Sequence, residues 1–100
     1  MAILHCVLTK LNGKQPADIV QTVQAAGAGM VGKIPGLKRC SVGPPLESTK
    51  WRSQGWDIML FAELEDEKAL DVYATHEAHE AYKEHTKPYN VDVLAFDIEA

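Results

Sequence analysis

The chain has 100 residues, of which 46% are hydrophobic and 24% charged, and its formal net charge is −4. This length suits one domain, and the apolar content excludes a largely disordered chain. Acidic and basic residues are mixed without a Lys/Arg stripe, which argues against nucleic acid or an anionic membrane surface as the main partner. No apolar run approaches the roughly 20 residues of a membrane span. Because Met1–His5 shows no signal-peptide pattern, we expect one cytosolic domain over residues 1–100.

The first elements in chain order are a strand and a helix. Alternating residues from Ile3 to Leu8 predict the strand. Pro16 suits the first turn of the helix, and Pro35-Gly36 ends it. Gly27 and Gly29 weaken the helix locally. Its apolar stripe consists of Ile19, Val20, Val23, Ala26, Met30, Val31 and Ile34, which follow at helical spacing.

Three more strands and two shorter helical segments follow. Asp66 is placed to cap the first of these segments, and Thr75 to cap the second, which runs from His76 to about Glu84. The other elements are a short strand over 37–43, a mobile polar loop over 44–55, a long strand over 56–65 and a last strand over 91–98. The order strand, helix, strand, strand, helix, strand predicts an α+β, ferredoxin-like βαββαβ fold, whose helices cover one face of a four-stranded antiparallel sheet.

Both faces of the predicted sheet are apolar, although a face in water should alternate with polar residues. We expect the helices to cover Leu4, Leu8, Ile58, Leu60, Leu64, Leu94, Phe96 and Ile98. The second face would then carry Ile3, Val7, Met59, Phe61, Val91 and Val93, with His5 and Asp57 among them. A large exposed apolar patch marks an interface or a ligand cavity. We therefore expect a homodimer through the open sheet face; the alternative is a bulge that makes this face more polar.

Short motifs along almost the whole chain carry a family resemblance. They are His5, Lys33–Leu37, Gly43, Gly55–Ile58 and Ala69–His79. In order and spacing they resemble the stress-responsive A/B barrel family, also called the dimeric α/β-barrel or Dabb family. The family pattern has a Tyr followed by His-Pro-x-His, whereas this chain carries Glu77 in place of the Pro. The resemblance implies a ferredoxin-like protomer and a homodimer built as a barrel.

The resemblance also implies candidate catalytic residues, because some family members resemble polyketide cyclases and others have no assigned reaction. His79 matches the catalytic His of the cyclases, and an imidazole can remove a proton α to a carbonyl at neutral pH. Tyr73 would donate a hydrogen bond to the developing enolate or alkoxide oxygen. His5 would orient the substrate. Asp57 stands where a cyclase carries His, and could pair with His5 or raise its pKa.

Two functions from different classes follow. The first is a small cofactor-independent cyclase or lyase-like enzyme acting on a polyketide or similar carbonyl compound, in a cavity walled by Met59, Phe61, Val23 and Gly27. The second is a non-catalytic, stress-responsive or apolar-ligand-binding homodimer. A heme- or quinone-handling monooxygenase ranks last, since no axial ligand or cofactor pocket is recognisable, and we expect no cofactor.

Other chemistry-bearing residues have simpler interpretations. The histidines at 76, 79 and 85 alternate with glutamates, which suggests a metal site, but zinc needs three or four convergent ligands. We expect a solvated, charged helix and no bound metal. No phosphate loop, Rossmann fingerprint or nucleophile elbow is present. With no secretory signal, Cys6 and Cys40 are expected to be free thiols.

Overall fold

The computed structural model describes all 100 residues and contains four strands and three α-helices. Strands β1 to β4 cover Ile3–Leu11, Leu37–Gly43, Ile58–Leu64 and Asn90–Glu99. Helices α1 to α3 cover Ile19–Met30, Glu67–Thr75 and Glu77–Glu84, and two 3-10 helices cover Glu47–Ser53 and Lys87–Tyr89. The strands form one antiparallel sheet in the order β2-β3-β1-β4. The predicted α+β, ferredoxin-like fold is confirmed, and none of the helices combines the length and apolar character that a membrane span requires.

The core lies between the helices and one face of the sheet. Its main cluster contains Ile3, Met30, Ile34, Leu37, Leu60, Ala62, Leu64, Ala69 and Tyr73. A second cluster joins Ile19 and Val23 of α1 to Ile58 of β3. Helix α1 approaches the sheet closely at Gly27, where an added Cβ would lie 2.6 Å from Val42 Cγ2. This glycine therefore sets the spacing between α1 and β2.

The predicted faces of β1 and β4 were wrong, whereas those of β3 were confirmed. The pairs Ile3–Leu64, His5–Ala62 and Val7–Leu60 place alternate residues of β1 on the helix-covered face. In the same way, β4 turns Val93, Ala95 and Asp97 toward the helices, opposite Thr9, Val7 and His5. The open face instead carries Leu4, Cys6, Leu8, Met59, Phe61, Leu94, Phe96 and Ile98. Both faces of β1 and β4 are apolar, so alternation alone could not tell which one meets the helices.

Several element boundaries also differ from the prediction. Helix α1 begins at Ile19 and ends at Met30, four residues before Ile34, because Gly32 adopts a φ of +92°. A left-handed backbone of this kind stops an α-helix and suits glycine. The segment predicted as a loop contains the 3-10 helix over Glu47–Ser53, and β3 starts at Ile58 rather than Trp56.

The junction of α2 and α3 depends on two side-chain caps. The predicted cap of α2 is confirmed, since Asp66 Oδ1 accepts a hydrogen bond from Ala69 N at 2.8 Å. The predicted cap of α3 was wrong: Thr75 ends α2, and His76 Nδ1 accepts from Ala78 N at 3.0 Å. His76 has an extended backbone, with φ −67° and ψ 141°, which redirects the chain between the two helices. The bend brings the end of α2 against the start of α3.

Candidate active site

A cavity of about 360 Å³ separates the sheet from α3, and we call it the helix-side cavity. Strands β1, β3 and β4 form one wall and the α3 region forms the other. The sheet residues are His5, Val7, Thr9, Ile58, Leu60, Asn90, Val93 and Ala95; the residues of the other wall are His79, Glu80, Tyr82, Lys83, Glu84, Thr86 and Lys87. The small side chains that β1 and β4 turn to this face leave room for the cavity.

Three predicted site residues lie together beside this cavity. The rings of Tyr73 and His79 are stacked, with centroids 4.2 Å apart and an interplanar angle of 30°. The His5 ring meets Tyr73 edge-on, with centroids 5.2 Å apart. His5 and His79 line the cavity, whereas Tyr73 packs against both imidazoles and is only 1% exposed. Their proximity follows from the bend at His76, since Tyr73 lies in the last turn of α2 and His79 in the first turn of α3.

His79 has the protonation pattern of a base. Its Nδ1 lies 3.3 Å from the carbonyl oxygen of Ala74. A carbonyl only accepts hydrogen bonds, so Nδ1 carries the proton and Nε2 keeps a free lone pair. Burial is the main cause that lowers the pKa of His79, and the positive charge of Lys83 adds to it. The imidazole is therefore neutral at physiological pH.

The carboxylate partner of His5 is Asp97, a residue that the sequence did not single out. His5 Nδ1 donates a hydrogen bond to Asp97 Oδ1 across β1 and β4. The predicted partner, Asp57, was wrong: its Oδ2 accepts from Leu11 N at 2.7 Å. Leu11 is six residues along β1 from His5, or about 20 Å at the rise of a strand. The available signal for Asp97 was an acidic residue between the apolar Phe96 and Ile98 of β4.

Two tyrosines belong to the surroundings of the site. The Tyr73 hydroxyl is buried and has no hydrogen-bond partner. Tyr82, which the sequence analysis did not name, lies three residues after His79 and lines the cavity. Burial raises the pKa of both phenols, and the neighbouring Cys40 raises them further. Both tyrosines therefore stay protonated and can donate hydrogen bonds at neutral pH.

The two cysteines are free thiols on opposite faces of the sheet. Cys6 lies on the open face, opposite Phe61. Cys40 lies on the helix-covered face, opposite Ala62, and burial raises its pKa to about 11. The Cys40 thiol is therefore protonated and a poor nucleophile at neutral pH.

The predicted cavity walls were wrong, because the four residues lie on both sides of the sheet. Val23 is fully buried in the core, and Gly27 packs against Val42. Met59 and Phe61 lie on the open face. None of the four lines the helix-side cavity, so the open sheet face is not a wall of the site that contains His5 and His79.

A larger cavity of about 670 Å³ lies at the open face, between β2, β3 and the segment that joins them. Met59 and Leu8 contribute from the sheet, and Leu46, Trp56 and Arg52 from the segment. It contains none of the histidines of the candidate site. No three His, Cys, Asp or Glu side chains are arranged to hold a metal ion.

Comparisons with known proteins agree with this architecture. The sequence profile of the Stress responsive A/B Barrel Domain matches residues 3–100. A dimeric ferredoxin-like protein of unknown function from Thermobifida fusca is 26% identical, with a TM-score of 0.85 over 100% of this chain and 92% of that one. A dimeric ferredoxin-like protein of unknown function from Jannaschia is 22% identical, with a TM-score of 0.83 over the whole of both chains.

One enzyme shares the fold at low sequence identity. The hydroxynitrile lyase from Passiflora edulis is 10% identical, with a TM-score of 0.80 over 97% of this chain and 91% of that chain. No curated protein matches the sequence significantly. Because the family profile covers nearly the whole sequence, the chain belongs to the stress responsive A/B barrel domain family.

Proposed function

We propose that the protein is a cofactor-independent acid–base enzyme that closes a poly-β-ketoacyl chain, or a similar carbonyl compound, by aldol-type C–C bond formation. The observation that carries the proposal is the stack of Tyr73 on His79, with His5 beside it, at a cavity of about 360 Å³. A cavity of this size suits a small organic ligand.

The first step is proton removal by His79. Its Nε2 accepts a proton from the carbon α to a carbonyl, and the electron pair of the broken C–H bond delocalises onto the carbonyl oxygen. The resulting enolate carbon attacks a second carbonyl carbon of the same chain and forms the new C–C bond. The alkoxide left on that second carbonyl oxygen then takes the proton back from His79. Atoms and electrons balance without a cofactor.

The groups beside His79 would stabilise the enolate oxygen. The Tyr73 hydroxyl has no partner in the protein, and an oxygen that reaches past the two imidazoles would accept its hydrogen bond. His5 donates its Nδ1 proton to Asp97, which fixes the ring and its tautomer. Its Nε2 would then orient the substrate. In this proposal Asp97 holds the role that was expected of Asp57.

The alternative function is binding of an apolar molecule without turnover. The sheet wall of the helix-side cavity favours it, because Val7, Leu60, Val93 and Ala95 offer an apolar surface to any ligand. The two functions differ in what they require of His79. An enzyme needs its free Nε2, whereas a binding protein needs only the volume of its ring.

We propose further that the protein is a homodimer through the open sheet face. Met59, Leu94, Phe96 and Ile98 are 43%, 43%, 64% and 50% exposed on this face. A patch of this kind usually marks an interface, and solved structures that share the fold are described as dimeric. The dimer would leave the helix-side cavity within each protomer, since His5 and His79 lie on the opposite face of the sheet.

The experiment that tests the enzyme is a product assay on a panel of poly-β-ketoacyl thioesters. Wild type should release cyclised product above the uncatalysed background, and His79→Ala should lower kcat by about 10²- to 10⁴-fold, as for loss of a general base. His85→Ala is the matched control, because His85 is exposed at the end of α3 and does not line the cavity. Equal rates for wild type and His79→Ala, or no product from either, would contradict the proposal. A hydroxynitrile in the panel tests lyase chemistry on the same base.

A further inference from the structure

Tyr82 is the only tyrosine that lines the helix-side cavity, and the mechanism above does not use it. It lies on α3 three residues after His79, and side chains at this spacing share one face of a helix, with Cβ atoms about 5–6 Å apart. His79 and Tyr82 therefore project from α3 toward the same cavity. A ligand that contacts the base lies within reach of this second side chain.

The surroundings of Tyr82 make its hydroxyl an unusual polar group. The ring packs against both core clusters, and Cys40 packs against the cluster that contains Tyr73. The Tyr82 hydroxyl forms no hydrogen bond with another side chain or with the backbone. The Tyr73 hydroxyl is also unpartnered, although the residue is 99% buried. Tyr82 is half-buried and lines the cavity, so its free hydroxyl can donate to the oxygen of a bound ligand.

The charged residues at the cavity narrow the class of ligand. Lys83 Nζ lies 3.0 Å from Glu80 Oε1, and Lys87 Nζ lies 3.6 Å from Glu84 Oε1. Each lysine of the cavity wall is thus paired with a glutamate one turn earlier, and Asp97 is paired with His5. The lysines and glutamates of the wall therefore balance in charge, and no net positive charge favours a carboxylate or phosphate. The donors and the apolar sheet wall fit an uncharged compound with oxygen atoms.

We propose that Tyr82 determines specificity by donating a hydrogen bond to a second oxygen of the substrate, while Tyr73 and His79 act on the first. The cavity would then select neutral compounds with two nearby carbonyl groups, such as β-diketones, over compounds with one carbonyl group. This inference rests on the proposed function for the site of the first oxygen. It adds Tyr82 as the residue that recognises the second oxygen.

Binding of a matched pair of ligands tests this inference. Benzoylacetone carries two carbonyl groups, and butyrophenone is the same skeleton with one of them reduced to a methylene group. By titration calorimetry, wild type should bind benzoylacetone about 3- to 10-fold more tightly, the range for one neutral hydrogen bond. Tyr82→Phe removes only the hydroxyl and should bring the ratio close to one, with butyrophenone affinity unchanged. Tyr82→Met, which also lacks the hydroxyl, should lose the preference as well.

Tyr89→Phe is the control, because Tyr89 does not line the cavity and should keep the wild-type ratio. Equal affinity of wild type for the two ligands would overturn the inference, as would a ratio that Tyr82→Phe leaves intact. If Tyr82 has a purely structural role, Tyr82→Phe should weaken the binding of both ligands equally, and that result would also overturn the inference. Failure of the proposed function is separate: the preference and its loss in Tyr82→Phe would remain, but no thioester would be cyclised.

Discussion

At the scale of single residues, the pKa of His79 links the buried position of the ring to the pH dependence of activity. Burial favours the neutral imidazole and lowers its pKa below the ordinary value of 6.5. A general base works only when neutral, so kcat/KM should rise with pH through a midpoint below 6.5 and stay level from pH 7 to 8, where His79 is already unprotonated. A pH profile of the reaction and an NMR titration of the imidazole measure this midpoint.

The variant His79→Gln provides the control for this profile, because it cannot titrate and should lack the rising limb. A midpoint at or above 6.5 in wild type would contradict the expected direction.

The same depressed pKa of His79 has a consequence for folding. The unfolded chain binds a proton at His79 more readily, so the stability contributed by the neutral ring should fall as the pH drops below 6.5.

The sequence predicted part of the candidate site because some residues belong to local motifs and others do not. Tyr73 and His79 lie within one segment, and His5 carried the family resemblance; the structure brings all three together. Their catalytic roles stay predictions. Asp97 was missed because its contact with His5 depends on the register of two strands that are 92 residues apart in sequence at this pair. No local pattern encodes such a register.

At the scale of secondary-structure elements, two glycines of α1 that look equivalent in sequence should respond oppositely to alanine. Gly27→Ala places a Cβ 2.6 Å from Val42 Cγ2 and should destabilise the fold by about 1–3 kcal/mol, the usual cost of overpacking. At Gly29 nothing lies within 4 Å of an added Cβ, so Gly29→Ala should stabilise by about 0.5 kcal/mol through helix propensity. Urea unfolding of both variants measures the difference, and a Gly27→Ala protein as stable as wild type would show that α1 can move away from β2.

Strand faces were harder to predict than strand positions. β3 alternates with the polar Glu63, so its core face could be identified from the sequence. β1 and β4 have apolar residues on both faces, and the larger set was expected to face the core. The structure places the larger residues, such as Phe96, on the open face, and the smaller Val7 and Ala95 at the helix-side cavity. Small residues here leave room for the helix-side cavity, which a rule based on core packing cannot anticipate.

At the scale of the whole molecule, the expected dimer does not depend on which faces of β1 and β4 meet the helices. Swapping the two faces of β1 and β4 still leaves an apolar open face, because the helices lie on one side of the sheet only. The swap changes where the candidate site lies relative to the expected dimer interface. The sequence placed His5 inside the interface, whereas the structure places it under α3. Assembly and ligand binding therefore become separable properties.

Phe96→Lys tests this separation. Phe96 lies on the open face and is 64% exposed, so a charge there should prevent a second copy from packing against the sheet. In sedimentation analysis wild type should be a dimer and Phe96→Lys a monomer. Val72→Lys adds the same charge on α2, where Val72 is 40% exposed, and should remain dimeric.

The monomeric variant should still bind benzoylacetone with wild-type affinity, because the helix-side cavity and Phe96 lie on opposite faces of the sheet. If Phe96→Lys remained dimeric, the dimer interface would have to lie on another surface of the protein. A monomer that has lost ligand binding, although its circular dichroism is unchanged, would instead mean that the partner supports the site. Thermal unfolding of Phe96→Lys with and without benzoylacetone supplies the second readout, since a ligand that binds only the folded monomer raises its Tm.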